Sequence, residues 1–359
     1  MASLRQSIHF ATSADGTRIA WAVAGQGPPL VRAPTWLSHV EDDWTSPVSQ
    51  HWITEFTRRH RLLRLDPRGV GLSDWEFREL EIDRVVEVVE AAVDGARFDR
   101  FAMVGNSFGA AVAIAYAARH PERVSRLFLW GSYCRGALRR HPSPAQLERS
   151  AMLRRLAEMG WGTEEASFRQ VFATLLVPGA SKAQWSAFTD RMRLCCSGHN
   201  AARWLEAMEQ VDVQDLARRV RCPTLVLHSL REARNPYDEG KLTAALIPGA
   251  EFVSLDSENH ILLPDEPAWA RLVDEFRQFM PGGEAHPGFE ALSGREREVL
   301  DLIARGLSND DIAAALHLSA KTVGNHITSL FAKAGFNSRA QAIVRARDAG
   351  FGKDGSGAP

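Results

Sequence analysis

Ser107 stands at the centre of Gly105-Asn106-Ser107-Phe108-Gly109, with the apolar run 98–104 before it and an alanine-rich segment after it. The pentad alone is a common pattern. Between a strand and a helix it is more specific, because the flanking glycines permit a strained turn that lifts the serine hydroxyl clear of the backbone. The helix that follows also points amides at any anion formed there. A serine nucleophile needs a base, and the base needs an acid to orient it. His260 follows the apolar run 252–255, and Glu232 lies four residues past the run 225–228. Ser107, Glu232 and His260 thus occur in the order nucleophile, acid, base, each just past the end of a separate strand-like run. Asp238 and Asp256 are competing carboxylates. An oxyanion would meet the Phe108 amide and a second amide just past the run 29–33, with Trp36 the first candidate and Thr35 the second. The plainer readings are a turn serine and a surface-loop histidine.

Other constellations carry less. Asp66-Pro67-Arg68-Gly69-Val70-Gly71-Leu72-Ser73-Asp74 lacks the third glycine of a nucleotide-binding loop, so nucleotide binding is rejected. Cys195, Cys196 and His199 are close in sequence, but two small buried residues on a helix explain them better than a metal site does. No metal and no cofactor is expected. The four cysteines lack a framework spacing and read as reduced thiols.

These residues need elements to hold them. Strand-like runs at 18–23, 29–33, 61–65, 98–104, 126–130, 224–228 and 251–255 alternate with helical segments, and a helix at 267–279 closes the series. Such alternation implies a mainly parallel sheet covered on both faces. Ligand sites in these sheets form at the carboxyl ends of the strands, where all three candidates fall. A largely helical stretch from about 136 to 218 separates the runs 126–130 and 224–228. The expected boundaries are 1–281 for this domain, 282–288 for a Pro- and Gly-rich linker, 289–351 for a second domain and 352–359 for a disordered tail.

The second domain reads as four short helices. Ser293, Ser308, Ser319 and Ser338 each precede a helical pattern, and Glu296 completes a capping box with Ser293. Two helices of about eight and fifteen residues, joined by a turn of about three, can set the second into a DNA major groove. With 43 basic and 44 acidic residues the chain has a net charge of −1, so any phosphate-binding face must be local. Lys321, Lys333, Arg339, Arg345 and Arg347 supply it, against only Asp348 over the same stretch. The amino terminus has no signal-like apolar core, and no run is long enough to span a membrane, which suggests a cytoplasmic protein.

The segment Leu292-Ser293-x-Arg295-Glu296-x-Glu298-Val299-Leu300, then Gly306-Leu307-Ser308-Asn309 with Ile312-Ala313, then Leu318-Ser319-x-Lys321-Thr322-Val323-x-Asn325-His326-Ile327, resembles the LuxR-type helix-turn-helix family. The resemblance implies that Lys321 and Thr322 contact phosphate and that Asn325 and His326 lie on the groove-facing turn. Gly324 departs from the family, where this position is often basic. The amino-terminal part resembles the α/β-hydrolase fold over about 8–280, in Asp66–Asp74, the Ser107 pentad, Ala117-Ala118-Arg119-His120-Pro121-Glu122-Arg123-Val124, Pro223-Thr224-Leu225-Val226-Leu227-His228 and Asn259-His260. The implied class is α/β for the first domain, with a helical cap at about 135–217 over the pocket, and all-α for the second. The cap's Trp161, Phe168, Phe172, Trp185, Phe188, Met192 and Trp204 either line an apolar cavity or pack cap to core, and packing is the expected role for any one of them. That order resembles fused regulators, in which a hydrolase-fold domain precedes a LuxR-type domain. The expectation is a regulator that binds double-stranded DNA as a homodimer and senses a small, largely apolar ligand. The alternative is a serine hydrolase (esterase, lactonase or amidase) with an accessory DNA-binding module. A third reading is a protein-interaction module with neither activity.

Overall fold

The computed structural model describes residues 5–280, 289, 292–348 and 351–352. The chain divides into two compact units, the first ending at Met280 and the second holding the residues beyond it. The expected linker 282–288 and most of the expected tail lie outside the described residues. Gly352 is described, and its amide bonds the Asp301 carboxylate at 2.8 Å.

The first unit opens with β1 (Gln6–Thr12), β2 (Arg18–Ala24) and β3 (Pro29–Arg32), then α1 (Gln50–Thr57), β4 (Arg61–Leu65) and α2 (Ile82–Gly95). It continues through β5 (Phe101–Asn106), α3 (Phe108–Arg119) and β6 (Val124–Trp130). Five helices follow: α4 (Pro144–Gly160), α5 (Ser167–Leu176), α6 (Lys182–Cys195), α7 (Gly198–Gln210) and α8 (Gln214–Ala217). The unit closes with β7 (Thr224–Ser229), α9 (Tyr237–Leu246), β8 (Glu251–Leu255) and α10 (Pro267–Phe279). The eight strands form one sheet in the order β1-β2-β4-β3-β5-β6-β7-β8. β1 and β2 run antiparallel, as do β2 and β4; every other pair is parallel.

β1 is absent from the sequence reading. It is an edge strand whose residues are exposed or half-buried throughout, so it lacks the apolar alternation that marks a half-buried strand. β5 begins at Phe101 rather than 98; Phe98 is fully buried but donates its amide to the Val93 carbonyl at the end of α2.

The sheet is covered on both faces. α3 is buried along nearly its whole length, and its run of alanines lets it lie close against the strands. On the other face Trp52 and Phe56 of α1 meet Phe276 of α10, and Trp52 stacks on Trp130 with ring centroids 4.5 Å apart. The cap helices α4 to α8 are inserted between β6 and β7. Their Trp161, Phe172, Phe188, Met192 and Trp204 are buried in the same apolar cluster as the sheet. Trp161 meets Trp36 at 4.9 Å, and Trp204 meets Phe108 edge-on at 5.5 Å. Ser143 and Ser181 start α4 and α6 with capping boxes completed by Gln146 and Gln184.

The second unit is four helices: α11 (Gly294–Ala304), α12 (Asn309–Leu316), α13 (Ala320–Ala334) and α14 (Arg339–Asp348). Val299, Leu300, Ile303, Ile312, Val323, Leu330, Ala342 and Ala346 form its core. Ser293, Ser308 and Ser319 accept the amides of Glu296, Asp311 and Thr322. His317 turns the chain between α12 and α13 at a φ of 54°, and Gly335 ends α13 at 65°.

Candidate active site and nucleic-acid interface

Ser107 closes β5 and opens α3 with φ 53° and ψ −127°, a region a non-glycine residue rarely enters. The flanking glycines are what allow it. A Cβ on Gly105 would stand 2.7 Å from the Gly109 carbonyl oxygen, and one on Gly109 would stand 3.1 Å from the carbonyls of Ala33 and Pro34. The turn is therefore packed between its own helix and the loop after β3. Phe108 is the first residue of α3, so its amide has no acceptor within the helix. Ser107, Phe108, Trp36, Thr35 and His260 all line one open cleft, where about 610 Å³ is free of atoms once the adjoining open solvent is counted.

His260 and Glu232 meet beside this cleft. The His260 Nδ1 lies 2.7 Å from Glu232 Oε1, with both side chains buried. The Asn235 amide donates to the same carboxylate oxygen at 2.9 Å, and His228 Nε2 stands 3.3 Å from Oε2. Burial acts to raise the Glu232 pKa, but the charge and hydrogen bond of His260, then His228 and the Asn235 amide, outweigh it and hold the carboxyl below its usual range. Burial pulls the His228 pKa down, against the Glu232 charge. The competing acids are elsewhere: Asp238 pairs with Lys241 and Asp256 with Arg231, both on the surface.

Residues outside the three candidates hold this arrangement; Gly131, Tyr133 and Asn235 carried no sequence signal, whereas Asn259 was a mark of the fold resemblance. Gly131 follows β6 at φ 53°, and the Asn235 side-chain amide donates to its carbonyl at 3.0 Å. Tyr133 is buried with its phenol against the Ser107 hydroxyl, and burial raises its pKa to about 12. Asn259 anchors the base loop. It donates to Glu266 at 3.1 Å and accepts from the Gly179 amide at 3.0 Å, while its carbonyl accepts from Ser229 Oγ. The amides of His260 and Ile261 both donate to the Leu176 carbonyl at the end of α5.

The cleft wall departs from the expected apolar lining. None of the cap aromatics named from the sequence reaches it; the cap contributes Leu176 and Arg191 instead. Arg32 and Arg234 also line it. Among these aromatics, Trp161, Phe172, Phe188 and Trp204 pack cap to core, and the cleft wall mixes arginines and hydroxyls with apolar side chains from other elements, Trp36 and Val48 among them. Cys195 and Cys196 are buried, His199 is exposed, and among the described residues no group of three such side chains is placed to hold a metal. The Asp66 carboxylate is a structural clasp. It accepts from Ser38 Oγ and from the Val40 and Leu72 amides, and a Cβ on Gly71 would collide with it.

In the second unit, α12 and α13 are eight and fifteen residues long, joined through Ser319. Lys321 and Asn325 are exposed, and Thr322 and His326 half-buried, on the amino-terminal half of α13. Gly324 has open space around it. The cationic face is narrower than composition implied. Lys333 is held by Glu296 at 2.8 Å, Arg339 by Asn309 and the Leu307 carbonyl, and Arg347 by the Ala304 carbonyl.

A family model described as the alpha/beta hydrolase fold matches residues 28–267, more than half of the chain, and the chain belongs to that family. A second, described as bacterial regulatory proteins of the luxR family, matches residues 290–346. The protein is therefore a LuxR-type helix-turn-helix DNA-binding domain joined to an amino-terminal α/β-hydrolase-fold domain. Among curated proteins it is 26% identical over 260 residues to a pyrrolizixenacetamide deacetylase of Xenorhabdus hominickii, covering 69% of this chain and 91% of that one. Over 58 residues it is 43% identical to the response regulator protein VraR of Staphylococcus aureus, which covers 16% of this chain and 28% of VraR. Among solved structures, a hydrolase from Pseudomonas aeruginosa PA01 has a TM-score of 0.61 at 23% identity, covering 77% of this chain and 99% of that one. No helix among the described residues is long and apolar enough to cross a membrane.

Proposed function

We propose that this protein is a cytoplasmic transcription regulator that binds double-stranded DNA as a homodimer and responds to a small molecule bound in the Ser107 cleft. The observation that carries the reading is the exposed polar amino-terminal half of α13, set on a capped helix-turn-helix of the luxR family. Lys321 and Thr322 meet phosphate, and Asn325 and His326 face the base edges. The ligand controls the protein by binding one of its states more tightly than another.

A second reading is favoured by the 2.7 Å bond between His260 and Glu232 beside a strained Ser107. In it the cleft turns over an ester, lactone or amide. Ser107 Oγ attacks the acyl carbon as His260 takes its proton, and Glu232 holds the imidazole in place. The amides of Phe108 and Trp36 receive the oxyanion. His260 then gives the proton to the leaving alcohol or amine, and water releases the acid. Similarity to a protein named as a deacetylase supports acyl chemistry.

Two measurements on the full chain test these readings. Selection of genomic fragments, followed by footprinting, should recover a defined duplex site; no retained fragment would remove the regulator. Reaction with a fluorophosphonate and mass mapping should label Ser107; an unlabelled but folded protein would leave a receptor without turnover.

A further inference from the structure

Three guanidinium groups, Arg32, Arg191 and Arg234, line the Ser107 cleft, and no carboxylate does. They come from separate elements: the end of β3, the middle of α6 and the loop after β7. Arg191 is neutralised. It is paired with Asp43, lies 3.6 Å from Asp42, and donates to the Leu37 carbonyl. Asp43 is shared further, with Arg64 at 3.5 Å. Asp66, the remaining nearby acid, is occupied by Ser38 and by two backbone amides.

Arg32 and Arg234 are left over. Among the described residues neither guanidinium makes a hydrogen bond or an ion pair. The surroundings of Arg32 make this expensive. Burial lowers its pKa to about 10; Asp43 acts against that, and the cations Arg64 and Arg191 add to it. His51 nearby is no counterion, since an imidazole is neutral or cationic; burial, with a smaller contribution from Arg32, lowers its pKa to about 4. Arg32 is half-buried, and a cation without a hydrogen-bonded partner beside two like charges favours a counterion from outside the chain.

We propose that the Ser107 cleft takes an anionic ligand: a small organic acid whose carboxylate is bound by Arg32 and Arg234 and whose ester, amide or lactone group lies at Ser107. This rests on the reading of the cleft as the ligand site, and it replaces a purely apolar ligand with an acid. A guanidinium presents a planar fork of donors that fits a carboxylate bidentately. The apolar part of the same ligand lies along Trp36, Val48, Leu176 and Ile261 on the cleft wall.

The test uses the full chain with Ser107→Ala, so that nothing is consumed. Calorimetry compares monoamides of the C4–C8 dicarboxylic acids with their neutral diamides. At least one acid should bind roughly 10-fold or more tighter than its diamide. That preference should disappear with Arg32→Gln added, and shrink with Arg234→Gln. Arg32→Gln should also melt at the same temperature as its parent or higher without ligand, because it removes an uncompensated cation. A panel in which no acid outbinds its diamide, or a preference that survives both substitutions, overturns the inference. The result is separable from the hydrolytic reading. Ser107 labelling without acid preference sinks the anionic ligand alone, and acid preference without labelling sinks turnover alone.

Discussion

Gly131 and His260 are fitted to each other: a Cβ added to the glycine would stand 2.9 Å from both Nδ1 and Cε1 of the imidazole. The same Cβ would approach Glu232 Oε2 at 3.2 Å, and the glycine's φ of 53° is itself costly for a side chain. Gly131→Ala should therefore displace the base while the sheet stays folded. Fluorophosphonate labelling of Ser107 should slow by roughly 100-fold, the scale of a misplacement of about 1 Å. An unchanged rate, with circular dichroism like the parent's, would show that the histidine position is irrelevant.

Glu232 is distinguished from its neighbours by contact. Glu232→Gln leaves the shape but removes the charge that orients His260, and labelling should fall by about 10³- to 10⁴-fold. Asp238→Asn and Asp256→Asn alter only surface pairs with Lys241 and Arg231, so they should stay within about twofold of the parent. Equal losses in all three would remove Glu232 from its role.

The cap aromatics are expected to act on stability rather than on ligand choice. Trp161 is fully buried, donates to the Met192 carbonyl at 2.8 Å and touches both Trp36 and Phe172. Trp161→Ala should lower unfolding free energy by about 3–5 kcal/mol in denaturant titration. A loss under about 1 kcal/mol would mean the cap is loosely packed.

On α13 the two exposed side chains should fail differently. Lys321→Ala should weaken binding to all duplexes alike and reduce the salt slope by about 1. Asn325→Ala should cost about 1–3 kcal/mol on the selected site and little on random DNA. Identical effects on both duplexes would mean that Asn325 reads no base. Lys333→Ala should act mainly on stability, because that lysine already holds Glu296.

Glu296 gives the second unit an acid-sensitive point. The hydrogen bonds from Lys333, then Ser329, then the Ser293 amide lower its pKa to about 2. The folded value lies below the unfolded one, so the stabilisation is complete above the ordinary carboxyl range. It is lost as pH falls from about 4.5 toward 2. The melting difference between parent and Glu296→Gln should be present at pH 7 and shrink across that window. A difference independent of pH would assign the effect to shape rather than charge.

Local pattern carried the fold a long way and the site only partly. The Ser107 turn was legible because strand, glycines and helix are contiguous, and Glu232 and His260 because their order follows the order of the strands. β1 was not legible, since an edge strand exposed along its length has no apolar period. Nor were the arginines of the cleft. Arg32, Arg191 and Arg234 converge only once the sheet is assembled, and nothing near any one of them in sequence announces the other two. The role of the cap aromatics stayed open for the same reason: composition favours their burial, but does not say whether a cavity or another ring will meet them. The basic residues after α13 looked like a phosphate-binding face until their carbonyl and carboxylate partners were visible.

The Leu176 carbonyl, by receiving two successive amides of the base loop, ties the end of α5 to the segment that carries the imidazole. Leu176 also lines the cleft, so on the proposed hydrolytic reading a substitution that shifts the end of α5 would shift the proton acceptor with it.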